Sequence, residues 1–200
     1  MITEALGIVS VITSVFDTLK IPYFIGGSFA SGIYGLPRAT RDVDFVAEIK
    51  ISQIAQLVAA LEAEFYLDSQ SIRAAINAQW SFNIIHLKTM FKADIFVLSS
   101  SNWAHNQFRR RELRQLTDDA NAPTAWVSSA EDIVLQKLLW FEKGGRISTQ
   151  QWDDISGVLK VSAKILDFDY LVQWSSELGL TELLHKAYLD AGITSDNNHL

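Results

Sequence analysis

YFIGGSFASGIYGLPRATRDVDFV, residues 23–46, contains in succession a short apolar strand, a glycine turn and an acidic strand. Asp42 and Asp44 are one residue apart, and alternate residues of a strand point to the same face. We therefore expect their carboxylates to project together, while Val43 and Phe45 turn into a core. Two like charges held side by side repel each other unless a cation relieves them, and hard divalent cations prefer carboxylate oxygens.

The glycine turn of this stretch, Gly26-Gly27-Ser28, lies between the apolar strand and a short predicted helix. Backbone N–H groups at a helix N-terminus bind phosphate, and Ser28 can cap that helix. Taken alone, such a turn is most often only a turn, and an Asp-x-Asp pair is often a strand-end cap or part of a solvated face. Together, about fifteen residues apart, they indicate chemistry on a nucleotide.

The composition of the whole chain is that of a globular protein. Its 200 residues are 48% hydrophobic and 20% charged, an ordinary balance. The net charge of −6 argues against a broad electrostatic grip on nucleic acid. The chain has no cysteine, which excludes disulfides and cysteine-ligated zinc. The N-terminal segment reads as an amphipathic helix rather than a signal peptide or membrane span, so we expect a cytoplasmic protein without a membrane partner.

The hydrophobic periodicity predicts an α/β first half and an all-helical second half. The predicted helices cover residues 3–19, 28–34, 52–65, 69–77 and 102–116, and the predicted strands cover 23–25, 42–49, 82–87 and 92–98. From Trp126 onward the pattern predicts helices only. We therefore expect an α+β fold, in which a mixed-sheet core with flanking helices over residues 1–125 precedes a helical subdomain over 126–195 that packs on it.

A third acidic residue, Asp94, lies in the apolar strand of residues 92–98. A lone aspartate in a buried strand is costly unless it is paired or bound to a metal, and Asp94 can pair with Lys92 or with an arginine. If this strand lies beside the strand of Asp42 and Asp44, three carboxylates converge. Two of them can then bridge two metal ions, while the third orients an attacking hydroxyl and accepts its proton.

The GGS turn (residues 26–28), the DVD pair (residues 42–44) and Asp94 together resemble the motifs of the nucleotidyltransferase superfamily typified by DNA polymerase beta. The resemblance implies a mixed sheet with flanking helices, two magnesium ions, and transfer of a nucleoside monophosphate from an NTP with release of pyrophosphate. On this resemblance Asp42 and Asp44 hold the metal ions, Asp94 serves as the base or as a further metal ligand, and the glycine turn cradles the triphosphate.

Lys137 lies in an otherwise apolar predicted helix of the second half. A buried ammonium without a partner is costly, so its stem either reaches solvent or its ammonium reaches a phosphate or an aspartate. On a helical wheel Asp154 lies towards the buried side of a later helix. Asp154 is therefore a candidate partner for Lys137 or for Arg146.

The run of Lys137, Arg146 and Asp154 followed by an aliphatic residue resembles the later motifs of the AbiEii-type nucleotidyltransferases. That family includes toxin components of toxin–antitoxin and phage-defence systems. Asp153 stands where the family has an arginine, and Gly157 stands where a second acidic residue often follows. This second resemblance implies catalytic roles for Lys137 and Asp154, and a cognate antitoxin as a partner.

Three arginines are candidates for binding the nucleotide. Arg38 and Arg41 flank the DVD pair, where they can neutralise triphosphate charge or merely offset the two aspartates locally. Arg146 is the third, on the strength of the AbiEii-type motif.

We therefore predict a magnesium-dependent nucleotidyltransferase that acts on a hydroxyl of a tRNA, a protein or a small molecule, and that is a toxin–antitoxin or defence component on the second resemblance. The alternative is a non-catalytic module of the same fold that binds a nucleotide or a partner protein, as an antitoxin does. Three clustered carboxylates favour the enzyme, because a retired site has no reason to keep them. The sequence does not distinguish between NTPs or between acceptors.

Overall fold

The computed structural model describes residues 2–117 and 122–193, so the last positions of the predicted helical subdomain, 194 and 195, lie outside the described residues. The chain forms two compact units. The first takes in Ala39–Ser128 together with the chain before Ala30, and the second takes in Ala30–Arg38 together with the chain from Ser129 onward.

A mixed sheet forms the centre of the first unit. Its strands are β1 (Tyr23–Ile25), β2 (Asp42–Ala47), β3 (Phe65–Tyr66), β4 (Ser81–His86), β5 (Lys92–Val97), β6 (Glu112–Gln115) and β7 (Thr124–Val127). Within the described residues these seven strands follow the order β3-β4-β5-β2-β1-β7-β6. β2 runs parallel to β5 and β1 runs parallel to β7, while the other neighbours are antiparallel. The predicted α+β class with a mixed sheet is confirmed.

Helices accompany the sheet in the first unit and make up the second. They are α1 (Ile2–Thr18), α2 (Gly27–Tyr34), α3 (Ile54–Leu61), α4 (Ser69–Ala78), α5 (Asn102–Arg110), α6 (Ala130–Lys143), α7 (Thr149–Ser162), α8 (Phe168–Glu177) and α9 (Thr181–Ala191). α2 begins in the first unit and continues into the second. None of the helices in the described ranges is both long and apolar enough to cross a membrane.

The alternation of β2 divides the sheet into an apolar and a polar face. Val43, Phe45 and Ala47 are fully buried, whereas Asp42 and Asp44 are partly exposed. Burying each large apolar side chain contributes about 1.5–3 kcal/mol, so the register of β2 is strongly specified. The apolar face therefore holds both aspartates on the opposite side, as the spacing predicts.

Two predicted elements differ from the structure because short strands replace helical sequence. The predicted helix over 102–116 ends at Arg110 and is followed by β6, and Trp126 lies in β7 rather than in a helical region. The Arg111 guanidinium lies over the Trp126 ring, 4.9 Å from its centroid. These four-residue strands depend on pairing with each other and with β1, which local periodicity does not reveal.

The predicted helix over 52–65 is also shorter than expected. α3 ends at Leu61, and Phe65 begins the edge strand β3, where it pairs with His86 of β4. Phe65 is buried in the strand. A buried phenylalanine at this position also fits the apolar face of the predicted helix, so the sequence pattern does not distinguish the two.

In the second unit, α6 packs against α7 and α8, and α7 packs against α9. Ser129 and Ser148 cap α6 and α7, each by accepting a hydrogen bond from a backbone N–H three residues on, at 3.3 Å. Ala30–Arg38 belongs to this unit. The Ser162 hydroxyl donates to the Tyr34 carbonyl at 2.7 Å, and a Cβ at Gly35 would lie 2.8 Å from the Val158 backbone nitrogen.

Candidate functional site

The carboxylate face consists of four charged side chains on the polar side of β2 and β5. Asp42 lies opposite Lys92, and Asp44 lies opposite Asp94, in the parallel register of the two strands. Residues directly opposite each other project to the same side of a sheet. β5 therefore lies beside β2, as the convergence of the three carboxylates requires.

Lys92 forms an ion pair with the third aspartate of this face. Its Nζ lies 2.7 Å from Oδ2 of Asp94, and the two side chains are 40% and 18% exposed. The hydrogen bond that Lys92 donates to Asp94 raises the pKa of Lys92 above its ordinary value. Burial opposes this rise, and the charges of Asp94, Asp42 and Asp44 add to it. The predicted ion pair between Asp94 and Lys92 is therefore formed. The negative charges of all three aspartates stabilise the charged form of this one ammonium.

Thr40 orients the first aspartate. Its hydroxyl donates to Oδ1 of Asp42 at 2.8 Å and lies 3.0 Å from the Asp42 backbone carbonyl. Thr40 was not among the predicted site residues, although threonine hydroxyls often hydrogen-bond to backbone groups of nearby residues.

The glycine turn packs directly against the second aspartate. Gly27, the first residue of α2, has φ +57°, and a Cβ at this position would lie 1.7 Å from Oδ2 of Asp44. The Gly26 N–H donates to the Asp44 backbone carbonyl at 2.8 Å. The predicted phosphate cradle, which includes Ser28 in the first turn of α2, therefore adjoins the carboxylate face.

The donor atoms of the carboxylate face suit a hard divalent cation, because carboxylate oxygens from two adjacent strands are the ligands such ions prefer. Over residues 2–117 and 122–193, however, no three acidic, histidine or cysteine side chains are already gathered around a common metal position. The face has the chemistry for a metal site, and Lys92 is paired with Oδ2 of its third carboxylate.

A second charged cluster lies in the helical unit, around Asp154 of α7. Lys137 of α6 donates to Oδ2 of Asp154 at 2.7 Å and to Oε1 of Gln151 at 3.1 Å. Arg38 forms a fork, with Nε 2.9 Å from Oδ1 and Nη2 3.0 Å from Oδ2 of the same carboxylate. The side chains of Lys137 and Asp154 are 4% and 5% exposed, and that of Arg38 is 28% exposed.

The protonation of Asp154 reflects this double pairing. Burial alone would raise the pKa of its carboxyl, but the hydrogen bonds and charges of Arg38 and Lys137 outweigh burial and lower the pKa below its ordinary value. The cluster therefore keeps a charged carboxylate inside the helical unit.

The remaining predicted cations do not join these two clusters. Arg146 pairs with Glu142, four residues earlier, at 2.6 Å on the surface. Of the two candidate partners of Asp154, Lys137 therefore forms the pair and Arg146 does not, while Arg38 supplies a second cation. Arg41 is exposed. The contact between Arg38 and Asp154, 116 residues apart in sequence, was not predicted and has no local sequence signal.

Gly157, one departure from the AbiEii-type pattern, has a packing role. A Cβ there would lie 3.3 Å from the Leu36 backbone nitrogen. An acidic side chain at this position would therefore push against the segment before β2.

Comparisons with known proteins match this geometry at the level of the fold. No family model matches the chain, and a search of curated proteins finds no match. Among solved structures, the antibiotic-resistance factor ANT(2″)-Ia in solution is similar, with a TM-score of 0.56 at 13% identity over 93% of this chain and 99% of that one. ANT(2″)-Ia in complex with adenylyl-2″-tobramycin gives a TM-score of 0.59 at 12% identity, over 88% of this chain and 97% of that one.

An antigenic nucleotidyltransferase-like protein from Paracoccidioides brasiliensis is also similar, with a TM-score of 0.54 at 18% identity over 88% of this chain and 90% of that one. The chain has a nucleotidyltransferase-like fold. At these identities the likeness establishes the fold alone, and the AbiEii-type branch stays a prediction. Within this nucleotidyltransferase-like fold, the glycine turn and the carboxylate face belong to the same unit.

Proposed function

We propose that this protein is a magnesium-dependent nucleotidyltransferase that moves a nucleoside monophosphate from an NTP to a hydroxyl acceptor. The observation that carries the proposal is the contact of Gly27 with Asp44, which lies opposite Asp94 on the neighbouring strand. This places a helix N-terminus that suits phosphate beside carboxylates that suit a divalent cation. The nucleotidyltransferase-like fold supports the same reading.

In the proposed reaction the acceptor oxygen attacks the α-phosphorus of the NTP. A bond forms between these two atoms, the bond from the α-phosphorus to the bridging oxygen breaks, and pyrophosphate leaves. Asp94 accepts the proton of the acceptor hydroxyl, and the N–H groups of Gly27 and Ser28 bind phosphate oxygens. Bound magnesium would neutralise triphosphate charge and polarise the phosphoryl group, with Asp42 and Asp44 as its first ligands and Asp94 as a further one.

In the helical unit we propose that Lys137 and Asp154 act by position rather than by contact with the phosphate. The Lys137 ammonium is almost fully buried and bonded to Asp154, and Asp154 in turn holds Arg38 by a fork. Arg41, which lies in the same unit as the carboxylate face, is proposed to supply positive charge to the triphosphate. Within the helical unit, Asp154 fixes the orientation of Arg38.

For the acceptor we propose a cationic small molecule as the first class to test. ANT(2″)-Ia, an antibiotic-resistance factor, was crystallised in complex with adenylyl-2″-tobramycin. The net charge of −6 on this chain favours association with a cation over association with RNA. Transfer to tRNA or to a protein hydroxyl would instead support the toxin–antitoxin role with a cognate antitoxin.

The test supplies each α-labelled NTP with magnesium to wild-type protein and to Asp44→Asn, in parallel reactions with an aminoglycoside mixture, total tRNA and lysate protein. We expect wild-type protein to label one acceptor class and Asp44→Asn to label none. Magnesium-dependent NTP binding without any labelled product would favour the non-catalytic module. Equal labelling by both proteins would contradict the assignment of the carboxylate face.

A further inference from the structure

Lys92 is built into the carboxylate face rather than standing at its margin. It lies directly opposite Asp42 on β2, and its ammonium contacts Asp94 two residues along its own strand. The backbone register places Lys92 among three carboxylates. The carboxylate face therefore has an excess of negative charge even when the charge of Lys92 is included. The proposed metal site therefore already contains a cation that belongs to the chain.

We propose that Lys92 is the counter-ion of Asp94 that a divalent metal ion must displace, so that Lys92 sets the metal affinity of the carboxylate face. This inference rests on the proposed function and concerns how its metal site is loaded. One carboxylate oxygen of Asp94 cannot lie 2.7 Å from an ammonium and coordinate a metal ion without competition between the two cations. Lys92 stabilises the carboxylate face when metal is scarce. A divalent ion displaces it because a double charge is attracted more strongly to the carboxylates.

The geometry allows this exchange. The Lys92 side chain is 40% exposed, and its flexible stem can carry the ammonium into solvent. The neighbouring strand β4 adds no further charge, since Asn83 lies opposite Asp94 and Ile85 lies opposite Lys92. Removing the charge of Lys92 should therefore strengthen metal binding, whereas removing a lysine that helps to hold the metal site together would weaken it.

The test is calorimetric titration of Mn²⁺ alone into wild-type protein and Lys92→Met. Because partly exposed ion pairs contribute up to about 1 kcal/mol, we expect Lys92→Met to bind Mn²⁺ about fivefold more tightly. Lys92→Arg keeps the charge and should bind within about twofold of wild type. Lys50→Met is the matched control, because it removes an exposed lysine of the same unit beyond the far end of β2.

A second readout guards against misfolding. Without added metal, Lys92→Met should unfold at a lower temperature than wild type, and saturating Mn²⁺ should raise its midpoint by more than that of wild type. Lys92→Gln should behave in the same way, with circular dichroism reporting whether both variants are folded.

The outcomes separate this inference from the proposed function. If Asp44→Asn abolishes Mn²⁺ binding but Lys92→Met binds with unchanged or lower affinity, the displacement role is wrong and the metal site stands. If wild-type protein binds no Mn²⁺, the metal site and the inference fall together. Tighter binding in Lys92→Met and Lys92→Gln, but not in Lys92→Arg or Lys50→Met, is the result that supports it.

Discussion

Replacing Asp154 by asparagine removes the charge that faces both Lys137 and Arg38 inside the helical unit. The Lys137 side chain is only 4% exposed, so its ammonium has little access to compensating water. Breaking a buried ion pair by removing one partner costs about 3–5 kcal/mol. The ion pair between Arg38 and Asp154 contributes less to the free energy of unfolding, because the Arg38 side chain is 28% exposed. We therefore expect Asp154→Asn to lower the free energy of unfolding by about 3 kcal/mol or more.

Urea unfolding monitored by circular dichroism measures this loss, and comparison variants locate its origin. Lys137→Met should cost less than Asp154→Asn, because Asp154 retains the Arg38 fork. The double variant Lys137→Met with Asp154→Asn should recover part of the loss, since no buried ammonium remains beside a neutral partner. Such recovery is a coupling that adjacent residues show and distant ones do not.

A loss below about 1 kcal/mol for Asp154→Asn would contradict a buried Lys137–Asp154 pair, because it would place the pair in the range of solvent-screened surface ion pairs. Additive effects in the double variant would also refute it. Either result would mean that the Lys137 ammonium reaches water despite its burial.

Two further predictions concern backbone space and pH. Gly27→Ala should destabilise the protein by about 1–2 kcal/mol, because Gly27 has a left-handed conformation, and it should weaken Mn²⁺ binding by displacing Asp44. Gly26→Ala is the control and should leave Mn²⁺ affinity unchanged, since its Cβ would meet only a Phe24 ring atom at 3.8 Å. Equal Mn²⁺ affinities in the two variants would contradict the packing of Gly27 against Asp44. Because the pKa of Asp154 is lowered on folding, its contribution to stability is present above the unfolded value of about 3.9 and is lost as pH falls through the folded value. The unfolding free energy of wild type should thus fall more steeply below about pH 4 than that of Asp154→Asn, and parallel pH profiles would contradict this.

The carboxylate face could be predicted from sequence because it depends on local rules. The two-residue period of a strand places Asp42 and Asp44 together, and an aspartate in an otherwise apolar strand marks Asp94. Lys92 could be named as a partner for Asp94, but its position opposite Asp42 depends on the register between β2 and β5. Register between strands fifty residues apart is set by the packing of the whole sheet, which periodicity within one strand does not contain.

The helical unit shows the same division. Helical periodicity places Lys137 in an apolar stretch and Asp154 towards the buried side of its helix, and their pairing was among the predicted possibilities, as was a Lys137 side chain that reaches solvent. The Arg38 fork was not, because it joins a loop to a helix 116 residues later. The strand β7 was missed for a related reason: four residues that alternate between buried and exposed positions are too few to distinguish from the start of a helix.

Labelled ATP distinguishes nucleotidyl transfer from phosphoryl transfer at the carboxylate face: α-labelled and γ-labelled ATP are compared in the presence of magnesium and the acceptor class that the parallel labelling reactions identify. We expect wild-type protein to transfer the α-label to the acceptor and to release the γ-label as pyrophosphate, and the variants Asp44→Asn and Asp94→Asn to do neither. Transfer of the γ-label to the acceptor, or undiminished α-label transfer by both variants, would contradict it.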